Sequence, residues 1–346
     1  MKDMPLSTPP EQPLTKRPLT KRPLTARDRH VRDFLLQQGF RSAGRESYPL
    51  FRDFDGAGRL SELTPTVSTI WSLSFNEVYK LIEGHLVTTF FFEGMEPYFE
   101  IKAPRSNTAD SGGKNAAILL KQVIDTLYNF AIGAGLPELR VYAVEESFLE
   151  VFKNIEGYEV NAEYSDDHSE YAYRPADIVN LSGGVNHKKN THLNKFIGRD
   201  NITFTPMTNE NHRLCLDVEK EWCTHQDCAV CSAFAGCELK ALEIMADIYD
   251  DHFYEGLFGY VDGVLAGFII WEKRNEGRAY LHFGKGNIQN FFVYLIYILA
   301  KDKLPGIEFL NINEDMGKEG LRRFKKHLGI HELWRKYLCT FVKKEA

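Results

Sequence analysis

Long apolar runs are missing from this sequence. The longest one, residues 291–300, spans ten residues between Asn290 and Lys301, well short of the roughly 20 that a membrane-spanning helix needs. The N-terminus also lacks the apolar core of a secretory signal. We therefore interpret 291–300 as a buried helix and expect the chain to stay in the cytoplasm.

Cysteine is scarce, with six residues in 346, yet four fall close together as Cys223, Cys228, Cys231 and Cys237. The Cys228–Cys231 pair has the spacing of metal ligands, but structural zinc sites usually combine two well-separated pairs of this kind. Reduced thiols are the default interpretation in the cytoplasm. Zinc or an iron–sulfur cluster is the alternative, so no metal is assigned.

Aromatic residues are absent from 1–27, a leader containing the pentapeptides PLTKR, PLTKR and PLTAR at 13–27. A segment with so little apolar surface cannot offset the entropy of ordering, so it is predicted to be disordered. The leader holds six Lys or Arg and two Asp or Glu, a charge of +4 in a chain of net charge −6, which leaves −10 for the rest. This acidic body argues against extensive nucleic-acid contact.

The remaining chain predicts an α/β fold with mixed sheets, because one order of elements occurs twice. In the first half we expect strands at 77–82, 85–93 and 98–103, a polar loop, a helix at 116–133, a strand at 139–144 and a helix at 146–154. In the second half we expect strands at 256–261, 264–272 and 279–283, a helix at 288–300, a strand at 307–312, a helix at 318–327 and a strand at 333–342. Two tandem lobes follow, 28–175 and 176–346.

In each half a glycine-containing loop leads from a strand to a helix N-terminus, where unpaired N–H groups and the helix dipole favour an anion. Gly284, Lys285 and Gly286 form this loop in the second half, and residues 111–114 form it in the first. A tight turn is the alternative.

The stretch 170–196 joins the two predicted lobes. Tyr171 and Tyr173 alternate along a strand that we assign as the last of the first lobe, and Asp177 begins the first helix of the second. A cationic segment follows, with Lys188, Lys189, Asn190, Asn194 and Lys195.

Two stretches of this sequence resemble a bacterial family. One combines the Tyr-x-Tyr strand with Lys-Lys-Asn-x-x-x-Asn-x-Phe at 188–196, and the other is NINEDMGKEGLR at 311–322. Together they resemble the family named after the C-terminal domain of phosphatidylglycerol lysyltransferase, whose members have two tandem GNAT-like (acyl-CoA N-acyltransferase-like) lobes. The resemblance extends from about residue 30 to the C-terminus. The sequence departs from the lysyltransferases in lacking their preceding transmembrane module and the Pro that usually follows Gly-Leu-Arg.

The resemblance implies transfer of an acyl or aminoacyl group to an amine or hydroxyl. Acyl-CoA or aminoacyl-tRNA is the implied donor, tRNA is an implied partner, and the departures leave the acceptor open, lipid included. A non-catalytic RNA- or ligand-binding module on the same double fold is the alternative. A metal or redox protein built on Cys223–Cys237 is a further one.

Acyl transfer needs a base for the acceptor and counter-charges for a phosphate-rich donor. Glu314 and Asp315 follow a predicted strand and are the candidate bases, although either could cap the next helix. Tyr337 is a candidate proton donor, with core packing as the alternative. The candidate phosphate- or substrate-binding residues are Lys188, Lys189, Asn190, Asn194, Asn313, Arg322 and Lys325, with Gly284, Lys285 and Gly286; a solvated charged face is the alternative for the cations.

Overall fold

The structure is a computed structural model that describes residues 24–54, 58–72, 75–91, 96–103, 114–180, 193–224, 237–250, 252–274 and 277–345. Three sequence predictions lie outside these residues. They are the disorder of the leader up to residue 23, the loop at 111–113, and the positions of Lys188, Lys189, Asn190, Cys228 and Cys231.

The first half of the chain supplies most of one mixed sheet. Its elements are α1 (Ala26–Gln37), β1 (Arg41–Ser42), α2 (Tyr48–Phe51), α3 (Pro65–Trp71), β2 (Val78–Ile82), β3 (His85–Phe90), β4 (Tyr98–Lys102), α4 (Lys114–Gly133), β5 (Leu139–Glu145), α5 (Leu149–Lys153) and β6 (Tyr158–Tyr164). The apolar stripe of α4, with Val123, Ile124 and Leu127 fully buried, packs in the core of this lobe.

The second half supplies most of the other sheet. Its elements are β7 (Glu170–Tyr173), α6 (Pro175–Asn180), β8 (Ile202–Pro206), α7 (Leu214–Thr224), α8 (Glu238–Ile248), β9 (Glu255–Val261), β10 (Val264–Arg274), β11 (Arg278–Gly286), α9 (Phe291–Ile298), β12 (Phe309–Asn311), α10 (Glu319–His327), β13 (Glu332–Trp334) and β14 (Lys336–Lys343). The apolar run at 291–300 is indeed a buried helix, since Phe291, Leu295 and Ile296 in α9 are inaccessible to solvent.

Among the described residues each sheet has seven strands, in the orders β1-β2-β3-β4-β5-β14-β6 and β13-β7-β12-β11-β10-β9-β8. The pairs β4–β5 and β11–β12 are parallel and the other neighbours are antiparallel. The β11–β12 pairing is short, from Arg278↔Phe309 to Tyr280↔Asn311, so the strands separate beyond Asn311. Glu314 and Asp315 lie just past this point.

Two strands lie in a different sheet from the one that we predicted. β7 was assigned to the first lobe, but it pairs with β12 and β13 in the second sheet. The strand at 333–342 was assigned to the second lobe, but β13 and β14 divide it, and β14 inserts between β5 and β6 of the first sheet. Each lobe therefore holds a strand from the other half of the chain.

The segment 58–72 lies between the lobes and hydrogen-bonds to both of them. The Thr66 hydroxyl donates to Glu272 on β10, whereas the Lys102 ammonium on β4 donates to the Ser68 hydroxyl. An apolar contact accompanies these bonds, in which Leu60 packs with Tyr280 and Trp334. The segment thus links the two sheets through buried polar groups.

No described helix combines the length and the apolar character that crossing a membrane requires.

Candidate active site

A buried lysine stands at the centre of a charged cluster between the lobes. Lys336 begins β14, and its side chain has no solvent exposure. Its ammonium donates to Glu314 Oε2 at 2.7 Å and to Glu62 Oε1, and lies 3.5 Å from Glu170 Oε1. Burial favours the neutral amine, but these carboxylates outweigh it and hold the pKa of Lys336 well above its usual value.

Glu170 and Glu62 share the inner side of this cluster. Glu170 is fully buried and accepts hydrogen bonds from Ser61 N at 2.9 Å, from Ser61 Oγ at 2.5 Å and from the Asn311 amide. Burial and the Glu62 carboxylate raise the pKa of Glu170, whereas Lys336 outweighs the effect of burial on Glu62 and lowers its pKa to about 2. The two carboxyls therefore differ in their affinity for a proton, and Glu170 is the one that binds it more readily.

Glu314 and His168 form the open side of the cluster. The side chain of Glu314 is 24% exposed and that of His168 is 50% exposed. His168 Nδ1 lies 3.5 Å from Glu314 Oε2, the oxygen that also accepts from Lys336. Hydrogen bonding to Glu314 raises the pKa of His168. A titratable imidazole thus stands at the surface end of a row that leads inward through Glu314 to Lys336.

Lys325 holds the turn that carries Glu314. It lies on α10 and is buried, and its ammonium donates to three successive carbonyl oxygens, of Ile312, of Asn313 at 2.9 Å and of Glu314 at 2.7 Å. Asn313 has a φ of +53°, a left-handed conformation that asparagine tolerates better than most residues. Burial lowers the pKa of Lys325 to about 8. Lys325 was predicted to bind phosphate, but its ammonium is directed to this turn.

Asp315 points away from Glu314 and stabilises the same turn. Its side chain has no exposure, accepts from Tyr171 OH at 2.5 Å, and pairs with Arg322 at 2.8 and 2.9 Å. It also accepts from Gly317 N at 2.8 Å, just before α10 begins. Gly317 has a φ of +70°, and a Cβ there would lie 2.9 Å from Asp167. The structure does not show the cap that was predicted for Glu314 or Asp315, because the N-cap residue of α10 is Lys318 and makes no side-chain cap hydrogen bond, while Asp315 closes the turn before the helix.

These contacts predict an acid-sensitive contribution of Asp315 to stability. Burial alone raises the pKa of Asp315, but Arg322 and Tyr171 outweigh it and lower the pKa to about 2. A depressed carboxyl pKa stabilises the fold above the unfolded value near 3.8, and this stabilisation is lost as the pH falls towards 2. Denaturant titrations at pH 5 and at pH 2 measure this contribution. Between these two pH values the free energy of unfolding of Asp315→Asn should fall by about 1–2 kcal/mol less than that of the wild type. Asp217→Asn, which alters an exposed carboxylate of α7, should lose as much as the wild type, and equal losses for all three would contradict the prediction.

The charged cluster continues into the first lobe through Lys102. This lysine is 2% exposed, and its ammonium donates to the Glu62 carbonyl at 2.6 Å and lies 3.2 Å from Glu100 Oε2. Burial, with a contribution from Glu62, raises the pKa of Glu100 to about 7. Glu62 therefore connects two buried lysines, one by its carboxylate and the other by its backbone.

Tyr337 does not join this cluster. It follows Lys336 directly in β14, so its side chain lies on the opposite face of the first sheet. It packs in the core of that lobe, 5.3 Å from the Tyr164 ring, and its hydroxyl donates to Glu146 at 3.4 Å. The core packing that was the alternative for Tyr337 is what the structure describes, and the proton-donor hypothesis lacks the geometry it needs.

Gly284, Lys285 and Gly286 were predicted to form a loop, but they are the last residues of strand β11, where they pair with β10 and make close packing contacts. A Cβ on Gly284 would lie 2.2 Å from the Phe292 ring, and one on Gly286 would lie 2.8 Å from Phe292 N. The Lys285 ammonium donates to Glu238 at 2.6 Å and lies 4.2 Å from the centre of the Trp222 ring. The two glycines let α9 approach β11. The charge of Lys285 is paired with the carboxylate of Glu238, the first residue of α8.

The other predicted binding residues are Asn194, Asn313 and Arg322. Asn194 is exposed and lies in a turn. The Asn313 amide donates to the Leu281 carbonyl at 2.9 Å and so connects the turn after β12 to β11. Arg322 is engaged by Asp315 and Asp167. In the part of the chain that the structure describes, no group of three or more His, Cys, Asp or Glu could hold a metal ion.

Sequence reasoning missed most members of the cluster, namely Lys336, Glu62, Glu170, His168 and Ser61. Glu170 directly precedes the Tyr-x-Tyr strand and Asn311 begins the second motif, so their neighbourhood was noticed although their roles were not. Glu62 and Lys336 are 274 residues apart. No local pattern connects residues at such a distance.

Comparison with known proteins identifies the family. The model of the family "Phosphatidylglycerol lysyltransferase, C-terminal" matches residues 116–340, which is more than half of the chain. No curated protein matches the sequence.

Three solved structures share the fold. A conserved protein of unknown function from Bacteroides thetaiotaomicron VPI-5482 is 20% identical with a TM-score of 0.75, over 88% of this chain and 99% of that one. The C-terminal domain of an Agrobacterium fabrum protein assigned as a lysylphosphatidylglycerol synthetase is 12% identical with a TM-score of 0.56, over 85% and 91%. L-PGS from Bacillus licheniformis is 13% identical with a TM-score of 0.55, over 87% and 92%.

These likenesses and the two mixed sheets confirm the predicted α/β fold of two GNAT-like lobes. The family match begins within α4 and ends within β14, so it includes Glu170, Glu314 and Lys336. This chain belongs to the phosphatidylglycerol lysyltransferase C-terminal family.

Proposed function

We propose that this protein is an aminoacyl- or acyltransferase whose reaction takes place beside His168 and Glu314, between the lobes. The observation that carries the proposal is the row from half-exposed His168 through Glu314 to buried Lys336. Family membership supplies the reaction class, since the family is named after a lysyltransferase. The row supplies the base that such a reaction needs.

In the proposed mechanism the His168–Glu314 pair takes the proton of the acceptor. With Nδ1 directed at Glu314, the imidazole accepts the proton through Nε2, and the carboxylate stabilises the imidazolium that forms. Lys336 is fully buried and does not reach the acceptor, so it acts by fixing the Glu314 carboxylate. Lys325 fixes the backbone of the same turn.

For the donor we propose acyl-CoA or aminoacyl-tRNA, both of which are cytoplasmic. The phosphate anchors that we propose for this donor are Lys188, Lys189, Asn190 and Asn194, together with the exposed Arg323 and Lys326 of α10. Arg322 and Lys325 are occupied by carboxylates and carbonyls, and we propose a structural role for them.

Binding and transfer assays with a set of donors test this proposal. The full chain is titrated with acetyl-CoA, a long-chain acyl-CoA, lysyl-tRNA and alanyl-tRNA, and thermal unfolding is recorded. A true donor at about 100 times its dissociation constant should stabilise the protein by about 2.7 kcal/mol. The same donor should be consumed when amines or alcohols are added.

Stabilisation without donor consumption would instead support the non-catalytic binding module. No stabilisation by any donor, and no consumption, would overturn the proposed function.

A further inference from the structure

A second feature between the lobes is a cavity of about 290 Å³. Its lining comes from both lobes and from the segment 58–72. The segment contributes Arg59, the first lobe contributes Glu145, Ser147 and Phe148, and the second contributes Arg278, Glu308 and Phe309. In the first sheet Glu145 is the cross-strand partner of Lys336. The cavity is therefore adjacent to the charged cluster.

Two guanidinium groups face this cavity. Arg59 stacks over Trp334 at 5.3 Å, lies 3.8 Å from Glu145 and 3.6 Å from Glu332, and keeps 41% of its side chain exposed. Arg278 is 7% exposed and is positioned by a 3.0 Å hydrogen bond to the Gly58 carbonyl. Guanidinium groups bind planar oxyanions through paired N–H donors. Such a pair is suited to a carboxylate.

Two carboxylates lie in the same lining. Glu145 is 4% exposed and accepts from the backbone N–H groups of Arg59 and Leu60. Glu308 is exposed, but its backbone is fixed by a 2.7 Å hydrogen bond from its N–H to the Gly277 carbonyl. Burial raises the pKa of Glu145, and a ligand ammonium beside it would favour the ionised form.

The volume admits a small ligand. A volume of 290 Å³ lies at the lower limit of small-molecule pockets. An α-amino acid fits, and Phe148 and Phe309 offer apolar surface to its side chain.

We propose that this cavity binds a free α-amino acid as a zwitterion, with its carboxylate at Arg59 and Arg278 and its ammonium at Glu145 and Glu308. An amino acid that is esterified to a donor lacks the carboxylate charge that two guanidiniums recognise, so the cavity favours the free amino acid.

Calorimetric titration of the wild-type chain, without any donor, tests the binding step. The probes are glycine, L-alanine, L-phenylalanine and L-lysine, each compared with its amide, which lacks the carboxylate, and with its N-acetyl derivative, which lacks the ammonium. At least one free amino acid should bind at least tenfold more tightly than both of its derivatives. Equal affinity within every set, or no binding of any free amino acid, would overturn the proposal.

Variants locate the site. Arg59→Gln and Glu308→Gln should each weaken binding at least tenfold, whereas Arg41→Gln and Glu159→Gln, at exposed positions of the first sheet, should leave it unchanged. Each variant is first checked for a wild-type unfolding temperature. Binding that survives both cavity variants contradicts the assignment of the cavity.

Binding and transfer can fail separately. Zwitterion binding without transfer from any donor would leave the pocket in place and remove the proposed function. Transfer to alcohols or lipids with no zwitterion binding would support the proposed function and overturn the assignment of the cavity.

Discussion

Replacing Lys336 with methionine should lower the free energy of unfolding by about 3–5 kcal/mol, the usual cost of leaving a buried charge without its partner. The ammonium is fully buried and faces Glu62, Glu170 and Glu314. Methionine preserves most of the volume, so the loss reports charge rather than a cavity. Urea titration followed by circular dichroism and by tryptophan fluorescence measures the change.

Two further variants test whether the lost stability comes from the buried charge. Lys343→Met changes an exposed lysine of the same strand and should alter stability by less than about 0.5 kcal/mol. Adding Glu62→Gln to Lys336→Met removes one of the unpaired carboxylates and should restore part of the stability. A loss below about 1 kcal/mol for Lys336→Met, or no recovery in the double variant, would show that the cluster does not depend on this charge.

The exchange of strands explains why Lys336 should matter to both lobes. β14 lies in the first sheet although it follows the second lobe in the chain, and β7 lies in the second sheet although it follows the first. Neither sheet is complete without a strand from the other half. We therefore expect the two spectroscopic signals to report one cooperative transition in the wild type.

Local patterns in the sequence predicted many elements well. The Asp262-Gly263 turn has positive φ at both residues, as a type I′ hairpin turn requires. The apolar spacing predicted α4 to within about two residues of its start. Tyr171 and Tyr173 lie in a strand as expected, and their hydroxyls donate to Asp315 and to the Lys325 carbonyl.

The identity of a strand's neighbours was not available from such patterns. β7 has four residues, all buried, and nothing in its alternation distinguishes one sheet from the other. The segment 58–72 contains only the short helix α3 and shows no extended helical or strand periodicity in its apolar residues. Sequence reasoning therefore did not identify Glu62 and Ser61. With β14 assigned to the wrong sheet, Lys336 could not be placed beside Glu314.

The proposed base predicts a specific change in the pH profile. A base acts only when deprotonated, so kcat should rise with pH through the pKa of His168, which hydrogen bonding to Glu314 raises above its usual value. In Glu314→Gln this influence is removed, and the acidic limb of the profile should move to lower pH. The kcat of this variant should also fall about 100-fold, because the imidazolium loses its counter-charge.

His168→Gln should lose the acidic limb altogether and lower kcat by about 10²–10⁴-fold. Glu319→Gln, which changes an exposed carboxylate at the start of α10, should keep the wild-type rate and profile. If Glu314→Gln lost activity but kept the limb in place, Glu314 would act only through the structure of its turn. If His168→Gln retained the wild-type profile, the base would have to be another group, because the imidazole is the only described member of the row from His168 to Lys336 whose ordinary pKa lies near neutrality.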